Sequence, residues 1–191
     1  ASAGANTMGF RAVSGTGLDG DPIRSNDHLG KVVVVHFWAS WCSGCAKQAA
    51  ELVELREMFD EQDVVIIGVN LDGADQRDNV ARAAERLGLN WNHIYTGDGW
   101  NTPAFSENQV VGIPLLVILD RDGRPRDSSM GTRRLKDVIR LAIDEQFRSR
   151  RRCHSNHLEE GASNDSVTDP HGGGRMHRLA RSTGGRTDGI R

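Results

Sequence analysis

Two cysteines separated by two residues are the part of this sequence whose types and spacing best suit catalytic chemistry. The segment Cys42-Ser43-Gly44-Cys45 follows an apolar run at 32–37 and precedes a helix predicted from its apolar spacing. At a helix N-terminus, unpaired backbone N–H groups and the helix dipole stabilise an anion, so Cys42 is expected to form a thiolate near neutral pH. Cys45 then lies one helical turn further on, within reach of a sulfur bound to Cys42. The spacing therefore predicts thiol–disulfide exchange.

Two other interpretations of the cysteine pair are a structural disulfide and half of a zinc site. A zinc site needs two more ligands at typical spacing. The candidates are Cys153, His154 and His157, which lie over a hundred residues further along the chain. A structural disulfide is rare behind a Trp-Ala-Ser-Trp segment at a strand-to-helix junction. We therefore expect a redox-active pair, no bound metal and no cofactor.

The elements that must position the pair are predicted from the periodicity of apolar residues. The predicted strands are 32–37, 64–69, 91–95 and 115–119, the predicted helices contain 49–59, 80–87 and 135–142, and Gly97 to Pro103 is predicted as a loop. Asp75 is expected to cap the second helix, Gly88 to end it, and Asp122-Gly123 to turn the last strand into its neighbour. Strands alternating with helices, then a hairpin and a terminal helix, predict an α/β sandwich with a mixed central sheet.

Charge and composition divide the chain near Phe147. The net charge is −2 over all 191 residues, with −6 up to Phe147 and +4 after it. Only 8 of the last 44 residues are apolar, too few to offset the entropy of ordering them, so we predict a domain over 10–147 and a disordered tail over 148–191. The charge balance does not indicate a nucleic-acid partner, and the basic run 148–152 is interpreted as a solvated helix end. No apolar run approaches the roughly 20 residues of a membrane-spanning helix.

Residues 30–45 read Gly-Lys-Val-Val-Val-Val-His-Phe-Trp-Ala-Ser-Trp-Cys-Ser-Gly-Cys. This segment resembles the thioredoxin-fold thiol-disulfide oxidoreductases, and within them the TlpA/ResA-like (redoxin) group. The similarity continues at Gly112-Ile113-Pro114, which resembles the family's cis-proline loop, and at Leu119 to Gly123, which resembles its strand and turn. It covers about residues 10–147 and implies a thioredoxin-like sandwich, with a mixed sheet flanked by helices.

The resemblance also implies roles for individual residues. It makes Cys42 the nucleophile, Cys45 the resolving thiol, and Pro114 a cis residue packed against the pair. The backbone of Ile113, just before that proline, would pair with the substrate chain. Apart from the resemblance, Trp41 is interpreted as a partly exposed flank of the site that needs no catalytic role.

Four residues depart from the family's pattern. Gly44 replaces the usual proline before the second cysteine, which frees the start of the helix. His36 stands where thioredoxin has a buried aspartate, and it either moves protons for Cys45 or is a core histidine bonded to a neighbour. Gln48 and Ala50 stand where the family often has Glu and Pro, so an acidic residue that tunes the pair is missing.

The function implied by the resemblance is that of a protein thiol-disulfide oxidoreductase, which reduces disulfides in partner proteins that carry cysteine pairs. The alternative is a thioredoxin-fold redox sensor or binding module without catalytic turnover. Peroxidase chemistry is not expected, because a peroxiredoxin needs Pro and Thr or Ser where this chain has Val35 and Ala39. We expect a monomer without nucleic acid, leave a membrane tether open, and expect an extracytoplasmic or periplasmic location, with the cytoplasm as the alternative.

Overall fold

A central five-stranded sheet organises residues 9–129 and 131–144, which are the residues described by the computed structural model. The strands are β1 (Ser14–Thr16), β2 (Pro22–Arg24), β3 (Val32–Trp38), β4 (Val64–Asn70), β5 (His93–Ile94), β6 (Leu115–Leu119) and β7 (Pro125–Ser129). The helices are α1 (Ser43–Met58), α2 (Arg77–Leu87), α3 (Pro103–Ser106) and α4 (residues 135–144). The sheet has the order β5-β4-β3-β6-β7, with β3 parallel to β4 and antiparallel to β6. The predicted α/β sandwich with a mixed sheet is confirmed.

Strand β3 lies in the middle of the sheet, and all seven of its residues are buried. Successive side chains point to opposite faces of a strand. Val33 therefore packs into one hydrophobic cluster, while Val34 packs into a second one together with Leu52 of α1 and Ile139 of α4. Cover on both faces explains the nearly continuous apolar run in the sequence. Packing on both faces also holds the carboxyl end of β3, at Trp38, in place close to the start of α1.

A short antiparallel hairpin of β1 and β2 precedes the sheet, where the sequence analysis predicts no element. The hairpin lies against β5, because the Tyr95 N–H donates to the Thr16 carbonyl at 2.9 Å. Gly15 allows this approach, since a Cβ at that position would overlap the Ile94 side chain. Strands of three residues that contain glycine or proline carry almost no periodic signal, which is why the sequence analysis missed them.

The start of α2 differs from the prediction. The helix begins at Arg77 with Gln76 at its N-cap and no side-chain cap, so the prediction that Asp75 caps it is wrong. Asp75 has a φ of 60°, and the Gln76 N–H donates to the Tyr95 hydroxyl at 3.0 Å. Tyr95, a residue from another part of the chain, therefore binds the residue directly before the helix, which starts one residue later than a cap at Asp75 would require. Gly88 ends the helix in the left-handed conformation, as predicted.

The second half of the domain follows the prediction with two differences. Of the predicted strand 91–95, only His93–Ile94 is a strand. The segment predicted as a loop from Gly97 to Pro103 contains a 3₁₀ turn at Gly99–Asn101 and the first residue of α3. Residues 135–144 are helical, and the predicted inward residues Leu135 and Ile139 are buried. The predictions for the end of the domain and for the tail over 148–191 lie outside the described residues. Within 9–129 and 131–144, no helix combines the length and the apolar character needed to span a membrane.

Candidate active site

Two sulfur atoms lie at the amino end of α1. Cys42 is the N-cap residue with an extended backbone, and its Sγ accepts a hydrogen bond from the Cys45 N–H at 3.1 Å. The two cysteines form a disulfide, and their Cα atoms are 5.2 Å apart. Cys42 is 9% exposed and Cys45 is 1% exposed. An incoming sulfur therefore reaches Cys42 first, while Cys45 is covered by the protein.

The loop before β6 lies against this first helical turn. The Ile113–Pro114 peptide bond is cis, as the resemblance implied. A Cβ placed on Gly44 would lie 3.1 Å from Pro114 Cδ and 4.0 Å from Cys42 Sγ. The absence of a side chain at Gly44 thus allows the proline ring to come close to the disulfide.

Two exposed apolar side chains lie close in sequence to the cysteines and to the cis-proline. Trp41, directly before Cys42, is 64% exposed, and Val111, shortly before the cis-proline, is 95% exposed. Ile113, which the resemblance implied as a substrate contact, is half-buried. Apolar side chains directly before Cys42 and shortly before Pro114 in the sequence are thus open to solvent.

His36 is fully buried in β3, opposite Gly68 of β4. Within the described residues neither of its ring nitrogens has a hydrogen-bond partner, so it is not the neighbour-bonded core histidine of one interpretation. Its ring lies 6.1 Å from the Trp38 ring and 6.4 Å from the Trp91 ring, measured between centroids. Burial, and after it the nearby His93, lowers the pKa of His36 to about 3. The imidazole is therefore neutral at pH 7, and its role in proton transfer stays a prediction.

His93 of β5 is a residue that the sequence analysis did not single out, and it orients Trp38. The Trp38 Nε1–H donates to His93 Nδ1 at 3.1 Å, and His93 Nε2 lies 3.0 Å from the Leu89 carbonyl oxygen. A carbonyl only accepts, so Nε2 carries the proton and Nδ1 is left to accept from the indole. Burial lowers the pKa of His93 to about 4, against the opposing effect of the bond to Leu89. Both contacts therefore require the neutral ring in a single tautomer.

Gly68 makes this arrangement possible. The strand registers put His36, Gly68 and His93 in one row across β3, β4 and β5. A Cβ at residue 68 would overlap the His93 ring and lie 2.7 Å from its Cε1 atom. A glycine inside a buried strand indicates that another group comes close, and this was the signal in the sequence that could have pointed to His93.

Asp72 is a second residue that the sequence analysis did not single out. It lies behind the turn that connects β3 to α1, is buried, and accepts hydrogen bonds from Ser40 with both carboxylate oxygens. The turn itself is closed by the Cys42 N–H, which donates to the Ala39 carbonyl at 3.2 Å. The end of β4 is thereby connected to the segment that carries the first cysteine.

The structure describes only some of the residues that could complete a zinc site with the two cysteines. Among residues 9–129 and 131–144, no three His, Cys, Asp or Glu side chains are grouped so that they could hold a metal ion. Cys153, His154 and His157 lie outside the described residues. In the disulfide form neither Cys42 nor Cys45 is a thiolate, which is the form of cysteine that binds zinc.

Comparison with known proteins agrees with this geometry. Residues 9–124, more than half of the chain, match the model of the AhpC/TSA family. The chain belongs to the AhpC/TSA family. It is similar to the thiol-disulfide oxidoreductase ResA of Geobacillus thermodenitrificans, with 28% identity over 121 residues, 63% of this chain and 67% of that protein. ResA of Bacillus thuringiensis is 37% identical over 123 residues, which cover 61% of this chain and 64% of that protein.

A solved structure shows the same fold. The thioredoxin domain of a thiol-disulfide oxidoreductase from Bacteroides vulgatus superposes with a TM-score of 0.63 at 24% identity, over 70% of this chain and 94% of that one. The predicted thioredoxin-like sandwich and the similarity to the ResA-like group are confirmed. The chain spans about two thirds of the length of the ResA proteins that it matches.

Proposed function

We propose that this thiol-disulfide oxidoreductase reduces disulfides in other proteins, with Cys42 as the nucleophile and Cys45 as the resolving thiol. The observation that supports this assignment is the position of Cys42, which caps α1 and is the more exposed of the two cysteines. The first turn of α1 contains no acidic side chain. Nothing in that turn therefore offsets the helix field that stabilises a thiolate on Cys42.

The reaction starts from the reduced pair and transfers two electrons to the substrate. The Cys42 thiolate attacks one sulfur of the substrate disulfide, a mixed disulfide forms, and the other substrate sulfur leaves as a thiolate that takes up a proton. Cys45 then loses its proton and attacks Cys42 Sγ. The bond between Cys42 and the substrate breaks, the second substrate thiol is released, and the Cys42–Cys45 disulfide forms.

The substrate chain is proposed to bind beside the cis-proline. The backbone of Ile113 would pair with an extended substrate segment, as the resemblance implies, and Pro114 would keep that segment close to Cys42. The exposed side chains of Trp41 and Val111 offer apolar contact on either side. Such a site accepts many sequences, because most of its contacts are made to substrate backbone or are apolar.

His36 is proposed to take part in resolution by accepting the proton of Cys45. Both of its nitrogens are free of hydrogen bonds within the described residues, which leaves a lone pair available. Its pKa of about 3 means that a protonated His36 is costly in the resting fold. Such a weak base would hold the proton only briefly before passing it on, and His36→Asn should slow resolution above neutral pH.

The cellular setting is also a proposal. We infer a monomer that works on protein cysteine pairs outside the cytoplasm, without nucleic acid, on the basis of the resemblance to the TlpA/ResA-like group. Cell fractionation of the producing organism, with the chain detected by antibody, tests this location. Recovery in the cytoplasm alone would contradict it.

Turnover of insulin disulfides with dithiothreitol tests the activity. The wild-type protein should accelerate insulin reduction well above the buffer rate, and Cys42→Ser should abolish the acceleration. A wild-type rate equal to that of buffer would support the alternative, a redox sensor or binding module without turnover.

The order of the two cysteines is tested by trapping. Cys45→Ser should stop at the mixed disulfide and keep the substrate protein covalently on Cys42, while Cys42→Ser should trap nothing. Both variants should carry Cys153→Ser as well, so that the third cysteine cannot form the observed adduct. An empty trap with Cys45→Ser, under conditions where the wild type reduces insulin, would contradict attack by Cys42.

A further inference from the structure

Asp72 is a buried carboxylate whose hydrogen-bond donors are neutral groups. It lies directly after β4 and is 2% exposed. Its Oδ2 accepts the Ser40 N–H at 2.8 Å and the Asn70 side-chain amide at 2.9 Å, and its Oδ1 accepts the Ser40 hydroxyl at 2.5 Å. Among residues 9–129 and 131–144, none of the ion pairs includes Asp72. Hydrogen bonds to a charged acceptor are roughly twice as strong as those between neutral groups, so Asp72 restrains Ser40 strongly.

Ser40 lies inside the turn that connects β3 to α1. The Cys42 N–H closes this turn on the Ala39 carbonyl at 3.2 Å. Just before the turn, the Leu71 N–H donates to the Trp38 carbonyl at 2.9 Å. The segment from Trp38 to Cys42 is therefore bound to the residues that follow β4 at two successive points. The position of Cys42 depends on where Ser40 is held.

We propose that Asp72 is a positioning residue for Cys42, which keeps the Sγ atom at the amino end of α1 when the disulfide is reduced. In the oxidised protein, the bond to Cys45 also fixes Cys42. Reduction breaks that bond, and the turn held by Asp72 then becomes the main restraint on the sulfur. The inference rests on the proposed function, because it concerns the reduced nucleophile.

The charge of Asp72 and its hydrogen bonds to Ser40 change the pKa of the Cys42 thiol in opposite directions. A negative charge bound at Ser40, two residues before Cys42, disfavours a second negative charge, so loss of the charge alone lowers the pKa of the Cys42 thiol. Loss of the turn instead moves the sulfur away from the helix N–H groups, which raises that pKa toward the free value of about 8.5. The direction of the change therefore distinguishes an electrostatic effect from a positioning effect.

Two substitutions at Asp72 separate these effects. In Asp72→Asn, the side-chain oxygen can accept the Ser40 N–H and the amide can donate to the Ser40 hydroxyl, so the charge is lost and the contacts are kept. Asp72→Ala removes both the charge and the contacts. Ser40→Ala keeps the charge and removes only the hydroxyl contact.

The experiment uses the reduced protein and measures the pKa of the Cys42 thiol and the rate of reaction with a small aromatic disulfide at pH 7. We expect Asp72→Ala to raise the pKa and to slow the reaction at least about tenfold, since a displaced reacting group loses rate steeply. Asp72→Asn should react within about threefold of wild type, with an unchanged or lowered pKa. Ser40→Ala should slow the reaction about threefold, and it remains informative if Asp72→Ala does not fold.

Asp120→Ala is the matched control. Asp120 also accepts backbone N–H groups at a turn, from Asp122 at 3.0 Å and Arg124 at 2.9 Å. It follows β6 at the end of the sheet opposite the cysteines, because Leu119 pairs with Val33. The control should leave both the thiol pKa and the rate unchanged.

Three results would overturn the inference and leave the proposed function intact. They are a wild-type rate in folded Asp72→Ala and Ser40→Ala, a lowered thiol pKa in Asp72→Ala, and an equal effect of Asp120→Ala. A wild-type protein that reacts no faster than Cys42→Ser would overturn the proposed function and the inference together.

Discussion

Lowering the pH from 7 to 5 is expected to destabilise the folded protein through its two buried histidines. Burial lowers the pKa of His36 to about 3 and that of His93 to about 4, whereas a histidine in an unfolded chain has a pKa of about 6.5. Below pH 6.5 the unfolded chain therefore binds protons that the folded chain does not bind. Proton uptake then favours unfolding, so stability is greatest above pH 6.5 and falls as the pH is lowered.

The size of the effect follows from these pKa values. One pKa unit corresponds to about 1.4 kcal/mol, and pH 5 lies about 1.5 units below the unfolded value. Each histidine thus costs about 2 kcal/mol at pH 5, and the pair costs about 4 kcal/mol. This is a large part of the roughly 5–15 kcal/mol by which domains are stable.

Urea unfolding at pH 7, 6 and 5, followed by far-ultraviolet circular dichroism, measures this loss. His36→Asn and His93→Gln cannot take up the proton, so each should reduce the difference in unfolding free energy between pH 7 and pH 5 by about 2 kcal/mol. Wild type and variants carry the same carboxylates, so the contribution of the carboxylates cancels when the pH dependences of the unfolding free energies are compared. A double variant with the same pH dependence as wild type would refute the reasoning.

Three further predictions concern the same region. In the reduced protein, thiol titration should give Cys42 a pKa between about 3.5 and 7.5, and a low transition that persists in Cys42→Ser would contradict the assignment of the nucleophile. Gly44→Ala brings a Cβ to 3.1 Å from Pro114 Cδ, so insulin reduction should slow about threefold to tenfold while the urea midpoint changes little; equal activity would show that the loop yields freely. Gly68→Ala pushes the His93 ring aside and should lower the unfolding free energy by about 2–4 kcal/mol. Tryptophan fluorescence should change as well, and an unchanged unfolding free energy would contradict the close contact.

The junction of β3 and α1 could be predicted because its signals are local. The buried valine run, the short turn and the first helical turn are contiguous, and each depends on residues close by in sequence. Pro114 is different, since about seventy residues separate it from Cys45. Its position beside the pair was implied only by the resemblance to a known family.

The contacts of His93 and Asp72 could not be predicted because they depend on how strands pair. His93 reaches Trp38 because β5 pairs with β4 in the register that sets it opposite Gly68. A shift of one residue would turn its side chain to the other face. The same reason accounts for the error at Asp75, where the hydroxyl of a distant tyrosine binds the backbone before α2.

Because β6 pairs antiparallel with β3, the position of Pro114 beside the cysteines does not depend on the length of the segment that precedes β6. Phe37 pairs with Leu115, so Pro114 arrives beside the end of β3 whatever path residues 96–112 follow. Insertions, deletions and exchanges at the surface of that segment can alter the exposed surface before the cis-proline without altering the spacing between Pro114 and Cys42. Sequence changes can therefore be accommodated there without moving Pro114, provided that the buried side chains of the segment are kept, namely Thr102, Ala104, Phe105 and Val110.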